Sequence, residues 1–91
     1  MKKTVLNYNI LIEKEKQPKG TFLYVAHIPT LGISDFGKTA DQAAKNIEAA
    51  AKLYVETLNE LKRPIPQPDS EEVYVTSRKI ILDTSTYSFG L

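Results

Sequence analysis

The 91-residue sequence contains no cysteine, no tryptophan and a single histidine. Without cysteine there is no disulfide to brace so short a chain, and no thiolate for metal binding or nucleophilic catalysis. The lone His27 sits in an apolar run between Ala26 and Ile28, and no cluster of Asp and Glu is spaced to join it. A hydrogen-bonded sheet or interface residue is therefore expected rather than a base or metal ligand, and neither a metal nor a cofactor is called for. An excess of charge is missing as well: twelve Lys and Arg stand against eleven Asp and Glu, a formal net charge of +1. That balance excludes a protein that coats nucleic acid by charge alone. No apolar run approaches the roughly 18 residues of a membrane span. Met1-Lys2-Lys3 leads directly into Thr4-Val5-Leu6-Asn7-Tyr8, without the apolar core of a signal peptide. A cytoplasmic protein with no membrane partner is expected.

What is present is the composition of a globular domain, with 42% hydrophobic and 25% charged residues, outside the disordered range. The length allows one domain, read as residues 1–83, with 84–91 as a C-terminal tail placed at an interface. A chain of this size buries only roughly 60% of the surface it exposes when unfolded. With no disulfide available, self-association as a homodimer or homotetramer is expected to supply part of its stability.

Thr4 to Glu13 alternates β-branched and aromatic residues with polar ones and reads as a strand, with Leu6, Tyr8, Ile10 and Ile12 as the better core face. The polar stretch 14–20 reads as a turn, and Thr21 to Ile28 as the second strand of a hairpin, closed by Pro29. Both faces of that second strand are largely apolar, so alternation leaves open whether Phe22, Tyr24, Ala26 and Ile28 or Leu23 and Val25 point inward. Leu31 to Gly37 is a short third strand at a sheet edge. Thr39 with Gln42 three residues on forms a capping-box pattern, and Asp41 puts a negative charge in the first turn. A long helix follows, with Ala43, Ile47, Ala50 or Ala51, Tyr54, Leu58 and Leu61 as its apolar stripe. The opposite side carries Lys45, Glu48, Lys52, Glu56 and Glu60. Pro64, Pro66 and Pro68 end the helix and stiffen the connector. Glu72 to Thr76 reads as a strand and Lys79 to Asp83 as a further short one. The sum is an α+β domain, β-β-β-α-β, with one long helix packed on a small, mainly antiparallel sheet.

Gly32 to Thr39 formally matches the phosphate-loop pattern G-x-x-x-x-G-K-[ST]. Its context is wrong: Pro29 lies three residues upstream, where a buried parallel strand should be, and the chain is too short for the surrounding sheet. Asp35 alone is no two-metal nuclease site, which needs several converging carboxylates. Five lysines against two glutamates in the first twenty residues form at most a modest basic patch. No aromatic-basic RNA-recognition signature accompanies it, so direct nucleic-acid binding is not expected.

One ordered set of residues carries more. Tyr24-Val25-Ala26-His27-Ile28-Pro29, then Leu31-Gly32, Ser34, Gly37-Lys38-Thr39, the helix residues Ala43-Ala44, Asn46-Ile47 and Ala50, and the exit Ile65-Pro66 resemble the HicB-like antitoxins (UPF0150-type) of prokaryotic toxin–antitoxin pairs. The resemblance covers about half of the chain closely. It implies a partial ribonuclease-H-like fold that pairs with a second copy. It further implies a small basic partner of the HicA type, a messenger-RNA-cleaving toxin whose active site the antitoxin covers. On this reading the protein is not an enzyme: it acts by occlusion, and the phosphate-loop match is a turn followed by a helix cap. Many such proteins continue into a DNA-binding domain, whereas only residues 69–91 follow Pro68 here, so autonomous operator binding is not expected. Nuclease activity is not inherited either, since only Asp35 and Asp83 lie near strands. Tyr54, Tyr74, Tyr87 and Phe89 are the aromatic candidates for the partner interface. Glu71 and Glu72, with Glu56, Glu60 and Asp69, would face a basic partner. The alternative is a stand-alone homo-oligomeric regulatory or scaffold protein of the same fold.

Overall fold

The computed structural model describes residues 3–70, 76–86, 88 and 90. Three strands, β1 (Leu11–Lys16), β2 (Phe22–Ile28) and β3 (Ile33–Gly37), form an antiparallel sheet in the order β1-β2-β3, and α1 (Ala40–Glu60) follows. The arrangement is α+β, β-β-β-α. A 3-10 turn, Thr84–Thr86, lies among the last of the described residues.

The hairpin explains why β1 begins seven residues later than the residue pattern suggests. Pro18, Lys19 and Gly20 make the loop: the Gly20 amide donates to the Gln17 carbonyl at 2.9 Å and Gly20 takes φ +86°. Proline early in the turn and glycine in the left-handed region are what a three-residue hairpin loop demands. This loop sets the register, from Lys16 opposite Phe22 to Leu11 opposite His27. The ladder therefore recruits Lys14, Glu15 and Lys16, assigned above to the turn, and runs out at Leu11 because β2 ends before Pro29. Residues 3–10 continue as extended chain outside the sheet.

Register also settles which face of β2 is inside. Tyr24, Ala26 and Ile28 face α1, which packs chiefly on β3 and β2 and less on β1. Ala26, Ile28, Leu31, Ala43 and Ile47 are the buried core, and Tyr8, Tyr24, Ile33, Ala51 and Val55 pack around it. Of the proposed core face of the first segment, Tyr8 reaches this cluster, while Leu6, Ile10 and Ile12 remain more than a third exposed.

Thr39 caps α1 as expected, its hydroxyl accepting from the Gln42 amide at 3.0 Å. Gln42 does not complete the reciprocal box; its side chain donates instead to Asn46 Oδ1 at 2.8 Å. Asp41 and Lys45 form an exposed ion pair one turn apart. At the other end the Arg63 amide donates to the Leu58 carbonyl and the Lys62 amide to the Asn59 carbonyl, the paired bonds of a Schellman motif. Its left-handed position, φ +55°, is held by Lys62 where glycine is usual. Lys62→Gly is accordingly expected to raise stability by about 1 kcal/mol, read as an upward shift of the urea midpoint. An unchanged or lower midpoint would show that the lysine carries no left-handed penalty here.

Two further expectations fail. The helix stripe does not run through Tyr54 and Leu61: Val55 continues it after Ala51, and Leu61 is 60% exposed. Residues 43, 47, 51 and 55 recur at intervals of four, close enough to the helical period to hold one line over three turns. Lys79 to Asp83 is not a strand but belongs to no regular element; among the described residues the sheet holds only β1, β2 and β3. The strand read at Glu72 to Thr76 lies outside the described residues except for Thr76, which is in no regular element.

Candidate partner-binding surface

After the prolines the chain is pinned by one side chain. Asp69 accepts through Oδ1 from the Thr30 hydroxyl at 2.6 Å and through Oδ2 from the Asn9 amide at 2.8 Å. The Asp69 amide donates to the Asn7 carbonyl at 2.8 Å. Beside it the Tyr8 hydroxyl donates to the Pro66 carbonyl at 2.6 Å. The junction thus ties the N-terminal segment, the β2–β3 turn and the proline connector together. It fixes how that connector leaves the C-terminal end of α1. An open groove of about 510 Å³ runs between the N-terminal segment and α1, floored by Leu6, Tyr8, Ala51 and Val55.

These bonds hold the Asp69 carboxyl below the usual aspartate range, the Thr30 hydroxyl contributing most and the Asn9 amide next. A carboxylate depressed on folding stabilises above its unfolded pKa, and the contribution is lost as pH falls through the folded value. Acid below about pH 4 is therefore expected to loosen the junction. Asp69→Asn should remove that part of the acid dependence, as read by thermal melts from pH 7 down to about 2.5. A variant whose melts track the wild type at every pH would remove Asp69 from the account. Tyr8 is shifted the other way, upward, by burial first and by the Asp69 charge second.

The C-terminal half of α1 packs on the core through Ala51 and Val55 but also carries large apolar side chains at its surface. Leu53 is 66% exposed, Leu61 60% and Tyr54 37%, a set of large apolar residues left uncovered among the described residues. Glu56 and Glu60 are exposed on the same half of the helix. Tyr54, proposed as a contact residue, is thus at the surface. Glu71, Glu72, Tyr74, Tyr87 and Phe89 lie outside the described residues. Leu53 escaped the sequence reading because it falls off the core stripe; an apolar residue between Lys52 and Tyr54 on a solvated flank was the available signal.

The chemistry-bearing residues are not brought together. His27 is exposed, its Nδ1 3.3 Å from Ser34 Oγ across the β2–β3 pair. Asp35 Oδ1 accepts from the Phe36 amide, and Asp83 Oδ1 from the Ser85 amide. Among the described residues no three His, Asp or Glu converge as a metal site. The stretch matching a phosphate loop contains β3 itself: Gly32, φ +68°, closes the β2–β3 turn, and Thr39 is committed to the helix cap. Lys14 and Lys16 point to the helix side of the sheet, Lys14 Nζ lying 4.3 Å from the centroid of the Phe22 ring. No helix among the described residues is long and apolar enough to cross a membrane.

Fold and surface together define a class: a small α+β domain, one helix on one face of a three-stranded antiparallel sheet, with an uncovered apolar helix flank beside acidic residues. No protein-family model matches the chain, and no solved structure matches it. Two curated proteins do. One is UPF0150 protein Ta0767 of Thermoplasma acidophilum, 32% identical over 71 residues that span 77% of this chain and 97% of that protein. The other is UPF0150 protein ssr1765 of Synechocystis sp., 37% identical over 68 residues, 74% of this chain and 81% of that protein. The chain belongs to the UPF0150 family.

Proposed function

We propose that the protein is an antitoxin of the HicB-like kind, which binds a small basic messenger-RNA-cleaving toxin and acts by covering it rather than by chemistry of its own. The observation that carries this reading is the uncovered flank of α1. Leu53, Tyr54 and Leu61 offer contact area to another chain, and Glu56 and Glu60 on the same helix half complement a basic surface. UPF0150 membership and the ordered resemblance from Tyr24 to Pro66 support it. The Asp69 junction contributes by fixing the path of the connector next to that helix end.

The test is affinity capture of the tagged full chain from its native cell, followed by identification of any small basic partner that co-elutes, purification of the complex and a messenger-RNA cleavage assay. Cleavage should be silent in the complex and appear once the partner is separated. Leu53→Asp with Tyr54→Asp should weaken binding at least about 100-fold, because two buried anchors are replaced by charges. A partner that neither binds nor cleaves RNA would overturn the reading in favour of a stand-alone homo-oligomer.

A further inference from the structure

The hairpin assembles a cluster that no linear spacing displays. Lys14 stands opposite Tyr24 and Lys16 opposite Phe22, so two lysines of β1 and two aromatic rings of β2 share the helix side of the sheet. Because α1 packs chiefly on β3 and β2, the β1 edge of this side stays open: Ile12 is 38% exposed and Phe22 47%, with Lys14 and Lys16 exposed beside them. The Lys14 ammonium lies 4.3 Å from the centre of the Phe22 ring and 6.0 Å from that of Tyr24. A third lysine, the exposed Lys38, follows Gly37, which is itself paired with Tyr24.

Negative charge is sorted away from this corner. Alternation along β1 sends Glu13 and Glu15 to the open sheet face, turned away from α1, where Leu11 and Phe36 are 40% and 59% exposed. The acids of β3 and the first turn of α1 are already engaged: Asp35 accepts from the Phe36 amide, and Asp41 pairs with Lys45. Among the described residues the corner is therefore cationic and aromatic, on a chain whose net charge is only +1.

That combination selects the occupant. A free phosphate needs only the ammonium groups, and a protein partner needs a broader apolar area than Ile12 and Phe22 provide. A duplex keeps its bases stacked and uses charge alone. Single-stranded nucleic acid uses both parts, cations along its backbone and flat rings for its unstacked bases. Lys14 and Lys16, two residues apart on one face of a strand, stand about 7 Å apart at their Cα atoms, close to the step between phosphates of an extended strand. We propose that this corner binds single-stranded nucleic acid, one base stacking on Phe22 and the flanking phosphates held by Lys14, Lys16 and Lys38. The corner lies where α1 begins, so it leaves the flank of Leu53, Tyr54 and Leu61 in the C-terminal half of the helix free for a protein partner.

The experiment is fluorescence anisotropy of a labelled ten-residue oligothymidylate titrated with the full chain, with circular dichroism to establish that each variant is folded. The wild type should bind with a Kd of about 100 μM or tighter at about 50 mM salt, and log affinity should fall against log salt with a slope of about −2, the value for three phosphate contacts on a single strand. Phe22→Leu, which keeps apolar bulk but removes the ring, should weaken binding about tenfold and leave the slope unchanged. Lys14→Gln should weaken binding and flatten the slope by about 0.7. A wild type that shows no binding up to about 1 mM protein overturns the proposal. A Phe22→Leu variant that binds like the wild type also overturns it, in favour of a plain anion surface, and an unchanged slope in Lys14→Gln removes the phosphate contact assigned to that lysine.

Discussion

Gly37→Ala is expected to destabilise the domain by about 3 kcal/mol, at the upper end of what overpacking costs. Gly37 closes β3 where the chain turns into the helix cap, and it is buried. A methyl there would sit 2.5 Å from the Ala43 amide nitrogen and 2.9 Å from the Gln42 carbonyl carbon. Both are backbone atoms of the first turn of α1, so no rotamer change relieves the clash. Either β3 or the helix start must move, and both are committed to the core through Ile33 and Ala43. Gly20 and Gly32 serve as controls, because a Cβ at either meets nothing within 4 Å and only the positive φ is strained. Alanine at those two sites should cost about 1 kcal/mol each. Urea unfolding of the three variants checks the ranking. A Gly37 variant no worse than the Gly32 one would show that the sheet and helix can separate freely at that corner.

Ile47→Ala is expected to cost about 3 kcal/mol, from lost burial together with the cavity left behind. Among the described residues Ile47 and Ile28 are the largest fully buried side chains, and the buried core holds three others, Ala26, Leu31 and Ala43. Two of those are alanines, so the neighbours have little side chain with which to fill the gap. In so small a domain a loss of this size is a large share of the total stability of about 5–15 kcal/mol. Leu61→Ala, on the same helix but 60% exposed, should be nearly silent in the same thermal melts. Comparable losses at the two positions would mean that Leu61 is covered in solution, a contact this single chain does not contain.

How far the sequence went can be judged element by element. The helix start was legible because Thr39 is followed by a run of good helix formers and one early acidic residue, all local signals. The end was legible from Pro64, although the motif that closes it uses Lys62 in a conformation no propensity marks. The second strand is legible because the turn that ends at Gly20 and the proline at 29 bound it on either side. The first was misplaced because hydrophobic alternation starts at Thr4, whereas the ladder is set by the loop at 18–20 and the length of β2. Tyr54 was placed on the core stripe because three- and four-residue spacings both fit a helix; the position of the sheet beneath chose Val55.

The candidate surface divides in the same way. Tyr54, Glu56 and Glu60 could be named from the sequence because large aromatics and repeated acids on one helix stand out. Leu53 could not, nor could the open sheet face, since an apolar residue declares its burial only once its neighbours are known. Asp69 was noted for its charge alone; Asn9 and Thr30, which give it a structural task, lie 60 and 39 residues away.

Local chemistry was therefore determined by the sequence alone: the α+β class, the turn glycines, the helix cap, and an absence of cysteine that excludes disulfides and thiolate chemistry. Only the tertiary structure decided which face of β2 is inside, where β1 begins, that Asp69 joins three segments, and which apolar residues stay uncovered. The physical reason is range. Capping, turn formation and helical periodicity act between residues a few positions apart, whereas register and burial depend on which distant segment arrives alongside.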